Sequence, residues 1–132
     1  MKLYESRPRI VVVENDQDTL FLIETGLKKN GYIVESFNAG SEIVEFKHEI
    51  PQLFILDHGL PTIDGIAISK FLRVQESTRH IPIIMISGLD VQQRAKLAGI
   101  DHFIRKPFQI NELLSAIEDC LHRVQSLDDR SS

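Results

Sequence analysis

Short runs of Val, Ile and Leu recur along the chain and alternate with longer segments whose apolar residues return at helical spacing. The short runs predict strands over Arg9–Val13, Tyr32–Phe37, Leu53–Asp57, Pro82–Ser87 and His102–Arg105. Several are apolar without alternation, as a strand covered on both faces must be. The longer segments predict helices over Gln17–Asn30, Ser41–Lys47, Ile66–Gln75, Val91–Ala98 and Asn111–Gln125. Strand and helix taking turns in this way imply βαβ units around a parallel sheet, an α/β doubly wound fold.

The helices carry their own signals. Leu20, Ile23 and Leu27 share a face of the first, and the Asn30-Gly31 pair after it is a stop of the left-handed kind. Leu113, Ile117, Leu121 and Val124 align on the last, with Asn111 as its expected N-cap. These stripes are core. The fourth helix has only Val91, Ala95 and Ala98 for an apolar face, so it is lightly anchored and able to move. Ser126–Ser132 is polar and aperiodic, which predicts a disordered tail or linker stub after a single domain over residues 1–125.

Ligands of open parallel sheets bind beyond the carboxyl ends of the strands, where strand order reverses. Polar residues collect at those ends here: Glu14-Asn15-Asp16 after the first strand, Asp57 at the third, Ser87 at the fourth and Lys106 just past the fifth. Carboxylates with a lysine and a hydroxyl suit one task, holding a hard divalent cation and a phosphoryl group together. Mg²⁺ binds through one or two carboxylates plus phosphate and keeps several waters. Phosphoryl transfer needs positioning and charge stabilisation, and a carboxylate nucleophile yields an aspartyl phosphate. Asp16 is assigned to capping the first helix. His58 adjoins Asp57, but successive strand residues point oppositely, so it is expected to miss the pocket. His48, His80, His102 and His122 show no metal-ligand spacing.

Composition narrows the classes. With 132 residues, 42% of them hydrophobic, the chain supports one core. Its formal net charge of -4, with Lys and Arg interspersed, gives no basic stripe for direct nucleic-acid binding. The longest apolar stretches, such as Ile81–Ile86, fall far short of the roughly 20 residues of a membrane span, and the N-terminal stretch Met1–Arg9 precedes too short an apolar run for a signal peptide. A cytoplasmic location is expected. The single cysteine, Cys120, lies in a helical pattern and reads as a buried reduced thiol.

Four strings carry a family resemblance: Ile10-Val-Val-Val-Glu-Asn-Asp16; Leu53-Phe-Ile-Leu-Asp-His-Gly-Leu-Pro61 with Asp64-Gly65; Ile83-Ile-Met-Ile-Ser-Gly88; and Phe103-Ile-Arg-Lys-Pro-Phe108. In this order and spacing they resemble the response regulator receiver domains of two-component signalling, over about Arg9 to Val124. The resemblance implies a five-stranded sheet of flavodoxin-like order 2-1-3-4-5 with five helices. It makes Asp57 the phosphoacceptor, Glu14 the first metal-pocket acid, Ser87 the switch hydroxyl, Lys106 the phosphate-contacting lysine, and Phe103 the aromatic that swings inward on activation. It also implies a peptide bond before Pro107 that is often cis. Taken alone, Ser87 reads as a strand terminator and Phe103 as core. One position departs from the family pattern: Asn15 stands where a second acid is usual, offering a carbonyl oxygen without charge, so Mg²⁺ is expected to bind weakly through Glu14, Asn15 and Asp57.

The function expected is therefore a phosphorylatable switch. A histidine kinase or phosphotransfer protein donates to Asp57, and an unidentified downstream protein reads the face built by the last two helices. The chain is expected to be no enzyme beyond self-phosphorylation from small donors and slow self-dephosphorylation. The alternative is a degenerate receiver acting as a phosphorylation-independent interaction module, motivated by Asn15 and by Gly59 and Gly88 near the pocket. A flavodoxin lacks support because Glu14–Thr19 is no hydroxyl- and glycine-rich phosphate loop. An aspartyl phosphatase lacks its Asp-x-Asp, since Asp57 is followed by His58 and Gly59.

Overall fold

Residues 7–131 are described by the computed structural model; Met1–Ser6, with most of the charged N-terminal stretch, and Ser132 lie outside the described residues. The described strands are β1 (Arg9–Val13), β2 (Ile33–Phe37), β3 (Leu53–Asp57), β4 (Ile83–Ser87) and β5 (His102–Arg105). They form one parallel sheet in the order β2-β1-β3-β4-β5. The helices are α1 (Gln17–Lys29), α2 (Ser41–Val44), α3 (Gly65–Val74), α4 (Gln92–Leu97) and α5 (Ile110–Ser131). Class and strand order are those expected from the sequence. No helix among the described residues is long and apolar enough to cross a membrane.

The continuous apolar runs are explained by helices on both faces. Ile10, Val12, Ile55 and Ile84 pack with Ile23 and Leu27 of α1 and Leu113 and Ile117 of α5. Their neighbours Val11, Val13, Phe54 and Leu56 point the other way, onto Ile43 of α2 and Ile68 and Leu72 of α3. Each such buried side chain contributes about 1.5–3 kcal/mol. Exposed ion pairs such as Lys47–Glu45 contribute about 0–1 kcal/mol, so the sheet core decides the fold. The chain leaves β1 toward β2 and returns across it to β3, which puts the reversal of strand order at the carboxyl ends of β1 and β3.

Asp16 caps α1 as expected, its Oδ2 accepting from the Thr19 N–H at 2.9 Å, and Gly31 follows that helix with φ +90. Three expectations are corrected. The second helix ends at Val44, short of Lys47, because Phe46 takes the left-handed φ of 57 and its ring turns onto Phe71, 5.6 Å between centroids. The last helix starts at Ile110, so Asn111 lies inside its first turn and is not its cap; the Gln109 carbonyl accepts from Glu112 instead, at 3.0 Å. That helix also runs through Ser131, so the backbone is helical where a disordered tail was expected, since a nucleated helix gains a bond for each polar residue it adds.

Arg73, near the end of α3, clamps three segments. Its guanidinium donates to the Gly99 carbonyl at 2.9 and 2.7 Å, to the Ile81 carbonyl at 2.7 Å and to the Asp101 carboxylate at 2.7 Å. Asp101 in turn accepts from the Ile83 N–H at 2.8 Å, tying the start of β4 to the α4–β5 turn. Only a planar fork reaches these acceptors at once. Arg73→Ala should lower the unfolding free energy by about 1.5–3 kcal/mol in urea denaturation, the range for hydrogen bonds to a charged group. Arg73→Lys should recover only part of it.

Candidate functional site

Glu14 continues the β1 ladder one step past the strand, its N–H donating to the Phe37 carbonyl at 3.0 Å. That pairing carries its side chain into the interior, where it is fully buried. Oε2 accepts from the Asp16 N–H at 2.9 Å, while Oε1 lies 3.1 Å from the Lys106 ammonium. This second contact is an ion pair by distance, but its alignment leaves Oε1 without a hydrogen-bond donor.

Asp57 ends β3, buried, with Oδ1 accepting from the Gly59 N–H at 3.2 Å and lying 3.4 Å from Lys106 Nζ. The start of α3 presses against its backbone: a Cβ at Gly65 would fall 2.6 Å from the Asp57 carbonyl oxygen, so only glycine fits. Lys106 leaves the end of β5, its N–H donating to the Ser87 carbonyl at 2.8 Å, and is followed by a cis peptide bond to Pro107. Three side chains from three strand ends thus meet where the sequence placed them.

The electrostatics follow from this crowding. Burial pushes the Glu14 carboxyl above its ordinary range, and Asp57 adds to the effect, against the pull of the Asp16 N–H and Lys106. Partial burial alone would lower Lys106, but the close approach of Glu14 and the charges of Asp57 and Glu14 outweigh it and hold the ammonium above its usual value.

The remaining expected residues surround this centre without joining it. Ser87 is buried at the end of β4, but its hydroxyl donates to the Leu89 carbonyl and accepts from the Leu89 N–H, both at 2.9 Å. Phe103 is half-buried on β5 and packs beside Ile66, Met85, Ala95 and Ala98. Asn15 is exposed, and the described hydrogen bonds include none from its side chain. Cys120 is buried, which pushes its thiol up and disfavours the thiolate.

His58 misses the carboxylates, as expected, yet its Nδ1 lies 3.4 Å from Ser87 Oγ. The alternation argument placed it correctly away from the carboxylates and overlooked the neighbouring strand. Asp57 pairs with Ile86, so one step further His58 lies across from Ser87 and the two side chains leave the sheet together. The signal was in the register, which a single strand cannot reveal.

The donor set fits a divalent cation of the Mg²⁺ kind: a buried carboxylate oxygen lacking a donor, Asp57 joined to it through Lys106, and the exposed Asn15 next to Glu14 in the chain. Among the described residues no three His, Cys, Asp or Glu side chains converge into a cage of their own, which Mg²⁺ does not require. A more apolar cavity of about 400 Å³, lined by Pro8, Pro51, Ile81, Pro82, Leu121 and Val124, lies elsewhere and holds none of these residues.

Comparison with known proteins gives the same reading. The family described as the response regulator receiver domain matches residues 10–118. The chain is 30% identical over 122 residues to the phosphate regulon transcriptional regulatory protein PhoB of Rhizobium meliloti, covering 89% of this chain and 54% of that protein. It is 35% identical over 122 residues to the probable transcriptional regulator ycf27 of Porphyridium aerugineum, covering 89% and 50%. It therefore spans about half the length of these relatives. The receiver domain of a signal transduction histidine kinase from Syntrophus aciditrophicus superposes with TM-score 0.82 at 31% identity, over 89% of this chain and 92% of that one. The receiver domain of the sensor histidine kinase PA1611 from Pseudomonas aeruginosa, solved with a magnesium ion coordinated in its active site cleft, gives TM-score 0.80 at 26% identity, over 89% and 99%. With strand order, site geometry and family match in agreement, the chain belongs to the response regulator receiver domains of two-component signalling.

Proposed function

We propose that Asp57 accepts a phosphoryl group from a histidine kinase or phosphotransfer protein and that the domain switches a partner-binding face in response. The observation carrying this reading is the Lys106 ammonium held between two buried carboxylates, 3.1 Å from Glu14 and 3.4 Å from Asp57, at the carboxyl edge of the sheet. In the transfer an Asp57 carboxylate oxygen forms a bond to phosphorus as the bond from phosphorus to the donor's nitrogen breaks, leaving an acyl phosphate and the donor imidazole. Lys106 neutralises charge on the phosphoryl oxygens, and the Gly59 N–H keeps the carboxylate oriented. Ser87 then leaves Leu89 to donate to a phosphoryl oxygen, and Phe103 moves into the space this opens. Glu14, Asp57 and Asn15 would hold Mg²⁺, which supplies charge neutralisation at the phosphoryl oxygens. The chain acts on its own aspartate and turns over no separate substrate. It works in the cytoplasm, where its donors are.

A second reading, an interaction module that needs no phosphorylation, is favoured by Asn15, whose neutral, exposed side chain removes one charged ligand. Intact mass after incubation with Mg²⁺ and acetyl phosphate separates the two: one added phosphoryl group supports the switch, none supports the module.

Asp57→Asn should abolish that labelling while the circular dichroism spectrum and thermal midpoint stay close to the parent's. Labelling that persists would move the acceptor elsewhere.

Lys106→Ala and Ser87→Ala should both retain some labelling yet blunt the response, because each contacts phosphoryl oxygens without being the nucleophile. Amide NMR shifts near Phe103 on adding beryllofluoride should shrink in both variants. Shifts of parental size would remove their switch roles.

Asn15→Asp should bind Mg²⁺ more tightly and take up phosphoryl groups faster, since a second anionic ligand adds attraction for the cation. Without metal it should melt lower, three acids then repelling one another. In parent and variant alike affinity should fall as pH is lowered, starting above the roughly 4.3 of an ordinary glutamate, because burial raises Glu14 and its proton competes with the metal. Calorimetric titration at several pH values reads both effects.

A further inference from the structure

The Ser87 hydroxyl is more fully committed than a strand terminator needs to be. A hydroxyl offers one proton and two lone pairs. Its proton goes to the Leu89 carbonyl and one lone pair takes the Leu89 N–H, each at 2.9 Å. His58 Nδ1 stands 3.4 Å from the same oxygen, which has one lone pair left. Since Ser87 has already given its proton to Leu89, the bond is completed when Nδ1 carries the hydrogen and donates it.

His58 is not there by accident of a loose loop. Its N–H donates to the Ile86 carbonyl at 2.8 Å and its carbonyl accepts from the Gly65 N–H at 3.2 Å, so the backbone is pinned on both sides. The ladder bond to Ile86 extends the β3–β4 pairing past Asp57↔Ile86, which sets His58 across from Ser87 and directs both side chains to the sheet face opposite the Asp57 carboxylate. The hydroxyl proposed to answer the phosphoryl group is thus held, at rest, on the wrong side of the sheet for doing so.

We infer that His58 is a positioning residue of the resting state: its imidazole completes the hydrogen bonding of Ser87 and holds that hydroxyl away from Asp57, so that this side chain sets how readily the domain switches. The inference rests on the proposed reading of Asp57 as phosphoacceptor and Ser87 as the group that answers it. It places on the residue after the acceptor a control over the resting side of the equilibrium, which shifts only by the difference in how each state holds Ser87.

The test uses the full chain with His58→Phe, which keeps a ring and loses the nitrogen, and His58→Asn, whose amide can donate from nearly the same place. Beryllofluoride in excess Mg²⁺ is the probe, and amide NMR of Ser87 and Phe103 reads the fraction switched. His58→Phe should bind beryllofluoride about three- to tenfold more tightly, the effect of losing one net hydrogen bond from the resting state. His58→Asn should stay near the parent. In a Ser87→Ala background His58→Phe should have no effect, which a merely structural role would not produce. If the parent is labelled at Asp57 but His58→Phe binds no more tightly, or binds more tightly even without Ser87, the positioning role is overturned alone. A parent that takes up neither acetyl phosphate nor beryllofluoride overturns this inference together with the phosphoacceptor reading.

Discussion

One ammonium serving two buried carboxylates is the constraint on which this domain turns. Lys106 lies 3.1 Å from Glu14 and 3.4 Å from Asp57, and with both acids ionised the group carries one uncompensated negative charge. Burying such a charge is expensive, and proteins relieve it by pairing, by taking up a proton or by binding a cation. Glu14 shows the strain in its raised carboxyl, while its Oε1 lacks a donor. A divalent cation would overcorrect by one charge. Conversion of Asp57 to an acyl phosphate, under the proposed chemistry, adds about one negative charge and restores the balance. The charges of the pocket would thus balance only with cation and phosphoryl group together, which is the property a receptive site needs.

What keeps the charges together is the apolar sheet beneath them. Glu14 cannot retreat because its N–H is bound into the β2 ladder, and Asp57 cannot because the runs Ile10–Val13 and Ile83–Ile86 on either side of its strand are fully buried. Gly65 adds a limit from above, since the α3 backbone sits where a Cβ would strike the Asp57 carbonyl. Apolar burial worth several kcal/mol per strand opposes a local repulsion that is smaller, so the repulsion stays stored at the edge instead of being relaxed.

Most of this was legible from residue order. The runs Ile10–Val13, Leu53–Leu56 and Ile83–Ile86 each read as doubly covered strands, and each is fully buried. Once the strands are known, their polar ends must share an edge, which is why Glu14, Asp57 and Lys106 could be placed together before any geometry. What escaped detection depended on partners distant in sequence. Phe46 leaves helical backbone for Phe71 of another helix, and the fork of Arg73 spans three turns that no local pattern connects. His58 was judged along its own strand, when the residue it meets is on the next one. The end of α5 was missed for a different reason: polar composition argues against packing, and a helix already nucleated gains a backbone hydrogen bond with each residue it adds whether or not it packs.

The same long-range contacts give the fourth helix its asymmetry. Its amino end is set by Val91, which offers no side-chain cap, and follows directly on the Ser87–Leu89 turn. Its carboxyl end is fastened, because the Gly99 carbonyl accepts two bonds from Arg73 and Asp101 is joined to the same guanidinium. Between them only Ala95 is buried, and Leu97 is 83% exposed. A helix with one end tied and the other joined to the turn that Ser87 would leave under the proposed switch could respond by pivoting, with little apolar contact to break. Ser87, pulled toward Asp57 under that proposal, would release Leu89 and with it the untied end, while the Arg73 clamp would hold the other end in place. The thin apolar face of α4, which looks like poor packing, would then let a shift at one hydroxyl reach the surface where a partner would bind.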